Sequence, residues 1–147
     1  MSGARRNVVG MSSNAVTLQY VHVTVDDVDQ AIAFYRDALG FDVAMDVGGG
    51  EQRWVTLGVP AQPGLSIVLS PPAAGRSPED AEAMARLLAK GVLPMVVFAT
   101  NDLDATFERA VEAGAEVLQE PKQQDWGPRD AAFRDPAGNQ VRVSQAA

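Results

Sequence analysis

Val25-Asp26-Asp27-Val28-Asp29-Gln30-Ala31 and Thr100-Asn101-Asp102-Leu103-Asp104-Ala105-Thr106 decide how this chain folds, because they read as two copies of one signal. Asp27-Val28-Asp29 falls on Asp102-Leu103-Asp104 at an offset of 75 residues, and each copy opens an amphipathic stretch that runs to a glycine, Gly40 or Gly114. Beyond the glycines the offset is 74. There Phe41-Asp42-Val43 falls on Ala115-Glu116-Val117, and Gly64-Leu65-Ser66-Ile67-Val68-Leu69-Ser70 falls on Gly138-Asn139-Gln140-Val141-Arg142-Val143-Ser144. Identities are few, but the apolar alternation and the glycines stay in phase, as in a structural unit used twice.

Each half reads as strand, helix, then three strands. Tyr20 to Val25 alternates, with Val21, Val23 and Val25 on one face. Asp27 is the N-cap of a helix, with Gln30 in the capping-box position. Val28, Ala31, Ile32, Tyr35 and Leu39 recur at helical spacing, and Gly40 stops the helix. Phe41–Val47, Arg53–Leu57 and Leu65–Ser70 follow as strands between Gly-Gly-Gly and Pro-Gly turns. The second half gives a strand at Met95–Ala99, a helix at Leu103–Ala113, and strands at Glu116–Leu118, Asp130–Phe133 and Gln140–Ser144. Between the halves Pro71 to Gly75 is a linker, and Ser77-Pro78 starts an extra helix, Glu79 to Lys90, that ends at Gly91. The fold class is α+β: two tandem βαβββ modules forming a concave mixed β-sheet cavity with helices outside. The organisation is a flexible leader over 1–14 and one domain over 15–147, with module one at 15–72, the linker helix at 73–91 and module two at 92–147.

Composition narrows the chemistry. The 147 residues include no cysteine and one histidine. That excludes disulfides, zinc–thiolate sites, iron–sulfur clusters, a cysteine nucleophile and His-rich metal sites. A net charge of −7 argues against nucleic acid, whose phosphates need a basic surface. The start lacks the apolar stretch of a secretory signal, and no apolar run approaches the ~20 residues that span a bilayer. A cytoplasmic protein without a membrane partner is the expectation.

Two further motifs carry a resemblance. Phe34-Tyr35-Arg36-Asp37-Ala38-Leu39-Gly40-Phe41 and, about one hundred residues on, Asp135-Pro136-Ala137-Gly138-Asn139 resemble the helix end and the last turn of the vicinal oxygen chelate superfamily, over about residues 16 to 145. That superfamily includes glyoxalase I, extradiol dioxygenases and bleomycin-resistance proteins. The resemblance implies the paired-module fold and a homodimer, but no particular activity. It also implies four metal-ligand positions in the members that use a metal. Two lie on the first strands, at Tyr20 and Met95, and two on the last strands, at Val68 and Arg142. None is His, Glu, Asp or Gln, whereas zinc, iron or nickel needs imidazole or carboxylate donors. Neither a metal nor another cofactor is expected. A shift of two residues in the alignment brings His22 onto the ligand face, and one histidine does not make a site.

Strand parity says what lines the cavity instead. With the valines of the first strand under the helices, Tyr20, His22 and Thr24 face the concave side. By the same rule so do Trp54, Thr56, Ser66, Val68, Ser70, Met95, Val97 and Ala99, then Trp126, Asp130, Ala132, Gln140, Arg142 and Ser144. The expected ligand-binding set is Tyr20, His22, Trp54, Val68, Met95, Trp126, Asp130 and Arg142. Apolar walls with few polar anchors suit a small organic ligand, and indoles stack on planar rings. Blander readings stand beside these. The tryptophans can be core or interface residues, His22 can be structural, and Arg142 can pair with Asp130 on neighbouring strands. Arg53 and Arg129 have the wrong parity for the cavity and read as surface residues or loop anchors. Gly48-Gly49-Gly50 is a hairpin connection, because no Lys-Ser/Thr follows it as in a phosphate loop.

Two functions remain open. One is a binding module that sequesters a planar or aromatic compound. The other is an enzyme, either a metal-dependent lyase or dioxygenase in the family pattern or a metal-free isomerase. In the metal-free case His22 or Asp130 removes a proton and Arg142 holds the oxyanion. Whether the chain is an enzyme is not settled by its residues.

Overall fold

The computed structural model describes residues 14–147; the expected leader lies, but for Asn14, outside the described residues. The order is β1 (Tyr20–Thr24), α1 (Val28–Leu39), β2 (Asp42–Val47), β3 (Trp54–Gly58), β4 (Ser66–Ser70), α2 (Pro78–Lys90), β5 (Val96–Thr100), α3 (Leu103–Glu112), β6 (Glu116–Gln123), β7 (Arg129–Arg134) and β8 (Gln140–Gln145). This is βαβββ twice, with α2 between. Each module makes a mixed four-stranded sheet, ordered β1-β4-β3-β2 and β5-β8-β7-β6. The first strand of each pairs in parallel with the last, and the other pairs are antiparallel.

The repeat is visible in the register. His22 lies opposite Val68 in one sheet and Val97 opposite Arg142 in the other, at the offsets of 75 and 74 read from sequence. The same β-bulge interrupts the second strand of each module, between Val43 and Met45 and between Val117 and Gln119. Module two has one further irregularity, between Gln119 and Lys122. It absorbs one extra residue and the β6–β7 connection another, so Leu57 and Phe133, 76 apart, hold equivalent places opposite Ile67 and Val141.

The helix caps form as expected. Asp27 and Asp102 accept from the backbone N–H groups of Gln30 and Ala105, and Ser77 from that of Asp80. Gly40 ends α1 at φ 77°, a left-handed conformation that glycine adopts without cost. Two expectations are corrected. Strand β6 runs to Gln123, beyond the expected stop at Leu118, because bulges let a strand that contains Pro121 stay paired. Trp126, expected to face the concave side with Asp130 and Ala132, sits in the β6–β7 turn with 73% of its surface exposed.

Burial follows the parity. Val23, Val25, Val55, Leu57, Ile67 and Leu69 from sheet one join Ala131, Phe133, Val141 and Val143 from sheet two and the inner faces of α1 and α3 in one core. Helix α1 packs against α3, and Phe34 meets Phe133 at a ring separation of 6.0 Å. The helix-bearing faces therefore face each other across the core. The helix-free faces, where the expected site residues lie, point away from each other.

A cross-module junction locks this arrangement. The Tyr35 phenol donates to Asp135 Oδ2 at 2.7 Å. Asp135 Oδ1 also accepts from the Ala137 and Asn139 N–H groups, and the Asn139 amide donates to the Thr24 carbonyl at 2.8 Å. Both motifs that carried the resemblance thus meet at one joint.

Candidate functional site

On sheet one, β1 brings Tyr20 and His22 beside Trp54 of β3. The three rings touch edge to face: His22 to Trp54 at 4.6 Å, Tyr20 to His22 at 5.6 Å and Tyr20 to Trp54 at 6.1 Å between centroids. Edge-to-face contacts of this kind are favourable beyond the area they bury. Val68 lies opposite His22 and is buried, forming a floor. Tyr20 and His22 are exposed and Trp54 is half-buried, so the cluster is open to a ligand from solvent. Beside it the exposed Met45 and Val47 of β2, paired with Thr56 and Trp54, extend an apolar surface.

Arg76 is a neighbour that sequence reasoning missed. The Gln52 side chain donates to the Ala73 carbonyl and accepts from the Gly75 N–H, which pins the linker to the turn before Trp54. Burial and the positive charge of Arg76 both hold the His22 imidazole below its usual range. It is neutral at pH 7. No spacing in the sequence signals this, since linker placement depends on one long-range pair of hydrogen bonds.

On sheet two, Arg142 of β8 donates to Asp130 Oδ2 of β7 at 2.6 Å. The Gln119 and Gln124 amides donate to Asp130 Oδ1 at 3.0 and 2.8 Å. Asp130 is 1% exposed; burial pushes its carboxyl up, but the hydrogen bonds of Gln124, Gln119 and Arg142 outweigh it and hold the group below its ordinary range. A carboxylate so satisfied is a poor base. The structure thus realises the ion-pair reading of these two residues. Gln119 and Gln124 were not singled out because β6 was expected to end before them. Met95 lies just before β5, exposed with Val97 of the same edge strand. Arg53 and Arg129, expected outside the cavity, bridge to Asp29 and Asp104 at 2.8 and 2.7 Å.

The eight expected ligand residues therefore fall into separate groups. Tyr20, His22, Trp54 and Val68 share sheet one. Asp130 and Arg142 share sheet two, with Met95 at its edge and Trp126 on an exposed turn. Within one chain the two helix-free faces do not meet.

The four positions at which the resemblance implies metal donors hold a phenol, an aliphatic chain, a thioether and a guanidinium engaged with Asp130. Among the described residues no group of three or more His, Cys, Asp or Glu gathers elsewhere. These residues do not fit a catalytic divalent metal.

The chain belongs to the Glyoxalase/Bleomycin resistance protein/Dioxygenase superfamily, whose profile it matches over residues 17–143. It is 32% identical over 124 residues to the uncharacterised protein YurT of Bacillus subtilis (strain 168), covering 84% of this chain and 94% of that one. Among solved structures it is similar to UcmS2, with 34% identity, a TM-score of 0.77 and coverage of 90% of this chain and 99% of that one. It is also similar to TnmS3, an antibiotic binding protein from Streptomyces sp. CB03234, with 29% identity, a TM-score of 0.69 and coverage of 92% and 100%. Among the described residues no helix is long and apolar enough to cross a membrane.

Proposed function

We propose that this protein is a small-molecule-binding member of its superfamily that sequesters a planar or aromatic compound without a metal, as a cytoplasmic homodimer. The observation that carries the proposal is the open edge-to-face cluster of Tyr20, His22 and Trp54 over Val68. An aromatic ligand stacks there and covers ring faces that solvent now wets. The likeness to an antibiotic binding protein at 29% identity supports the same reading.

The division of the site residues between two faces supports the homodimer. A dimer that sets the sheet-one face of one copy against the sheet-two face of its partner gathers Tyr20, His22, Trp54 and Val68 with Met95, Trp126, Asp130 and Arg142. It also covers the exposed Met45, Val47 and Val97. The Arg142–Asp130 pair then supplies the polar anchor.

A thermal-shift screen of aromatic drugs and metabolites tests the binding, with sedimentation for the dimer. Metal titration of protein purified without a polyhistidine tag tests the absence of metal. Stoichiometric tight binding of nickel, zinc or iron sinks the metal-free reading. A second reading, a metal-free proton-transfer enzyme, is favoured by the neutral imidazole of His22. Turnover that His22→Ala abolishes decides for it.

A further inference from the structure

The junction that joins the modules is filled on one side only. On the filled side, α1 presents Ala31, Phe34 and Tyr35, all buried, to the β7–β8 turn with its Asp135 and Asn139. The same repeat offsets carry α1 onto α3 and the β7–β8 turn onto the β3–β4 turn. Thr106, Arg109 and Ala110 then stand where Ala31, Phe34 and Tyr35 do, and Ala61 and Leu65 stand where Asp135 and Asn139 do. Two aromatic side chains and a hydrogen-bonded network are thus replaced by smaller or polar groups. A cavity of about 890 Å3 remains, lined by residues from both modules. That volume is in the range of small-molecule pockets.

Its walls divide by chemistry. Phe41, Leu65, Ile67, Phe98 and Val143 give an apolar body. Thr100, Thr106 and Arg109 form the polar end, where Arg109 Nη2 donates to Thr106 Oγ1 at 3.3 Å and the two threonine hydroxyls are 3.1 Å apart. No carboxylate among the described residues lies within ion-pair distance of Arg109, although Arg36, Arg53, Arg129 and Arg142 each have one. Asp102, also on the wall, spends its carboxylate on the α3 cap. A guanidinium with unused donors beside an apolar chamber selects an oxyanion attached to an apolar group.

We infer that this cavity, on the helix-bearing side and apart from the Tyr20–His22–Trp54 cluster, is a second ligand site. It takes an amphipathic carboxylate, with the acid group on Arg109 and the hydrocarbon between Phe41, Leu65 and Phe98. The site needs no metal and no partner copy.

Calorimetric titration of the full chain with decanoate tests it, with decanol as the uncharged control. Saturable decanoate binding is expected. Arg109→Gln, an exposed substitution, weakens decanoate about tenfold and leaves decanol binding in place. Ala61→Trp, on the exposed turn that borders the cavity, abolishes both. Trp54→Ala leaves both unchanged. Absence of saturable binding, an Arg109→Gln variant that binds decanoate like the parent, or loss of decanoate binding in Trp54→Ala overturns the inference. The last outcome moves the acid onto the sheet face.

Discussion

Tyr35 and Asp135 lie 100 residues apart in the chain and share a buried hydrogen bond of 2.7 Å that ties α1 to the last turn of module two. Removing the hydroxyl leaves Asp135 Oδ2 with the Asn139 amide alone. Tyr35→Phe is therefore expected to cost about 1–2 kcal/mol in urea unfolding. A double-mutant cycle with Asn139→Ala is expected to be non-additive, since both side chains serve one carboxylate. Additive losses, or none, contradict the joint.

Alkaline pH reads the same residue. Burial, then the charge and hydrogen bond of Asp135, push the Tyr35 phenol well above its ordinary value near 10. The unfolded chain releases this proton first as pH rises. The stabilisation is thus complete below about pH 10 and declines above it. Tyr35→Phe is expected to flatten that decline, measured as unfolding free energy against pH.

His22 is the only histidine, so its ring protons give an unambiguous NMR titration. Its midpoint is expected below the ordinary 6.5, with burial the larger cause and Arg76 the smaller. Arg76→Gln therefore recovers only part of the shift. Because the folded value is the lower one, this contribution to stability is present above about pH 6.5 and is lost as pH falls through the folded midpoint. A midpoint at or above 6.5 refutes the assignment.

The Arg142–Asp130 pair is asymmetric, with Asp130 buried and the Arg142 side chain partly exposed. Arg142→Met strands a carboxylate that keeps only two amide donors, and is expected to cost about 2 kcal/mol in chemical denaturation. The lowered Asp130 carboxyl also makes the native protein acid-sensitive. This term is present above the ordinary carboxylate range and is lost as pH falls through the folded value. A neutral Arg142→Met would show that the two glutamines suffice.

For the sheet-face ligand, Trp54→Ala is expected to weaken an aromatic hit from the thermal-shift screen about tenfold or more, because Trp54 touches both other rings. Trp126→Ala on a dimer-dissociating background is expected to change nothing, since its own chain gives this exposed turn residue no role in the cluster. Equal effects of the two substitutions on that background would break the proposed division of the site.

The modules, their caps and their parity were legible because each rests on local chemistry. Asp27, Ser77 and Asp102 cap as their side chains dictate, and Val21, Val23 and Val25 turn inward by alternation. The ion-pair reading of Arg142 and Asp130 also came from strand adjacency. The exposed turn that carries Trp126 was not legible, because where β6 ends depends on bulges that no apolar pattern marks. Parity says which face of a sheet a residue takes but not where that face points. The helix-free faces diverge because α1 and α3 pack together, a contact between distant segments.

The two halves also keep a record of sequence in time. The Arg53–Asp29 and Arg129–Asp104 bridges, and the bulge after Val43 and Val117, occur once in each half, and so belong to the unit before it was doubled. The Tyr35–Asp135 bond occurs once in the chain. It belongs to the joined form, in which two equal ends became unequal: one now serves as a bolt, and its twin frames a chamber.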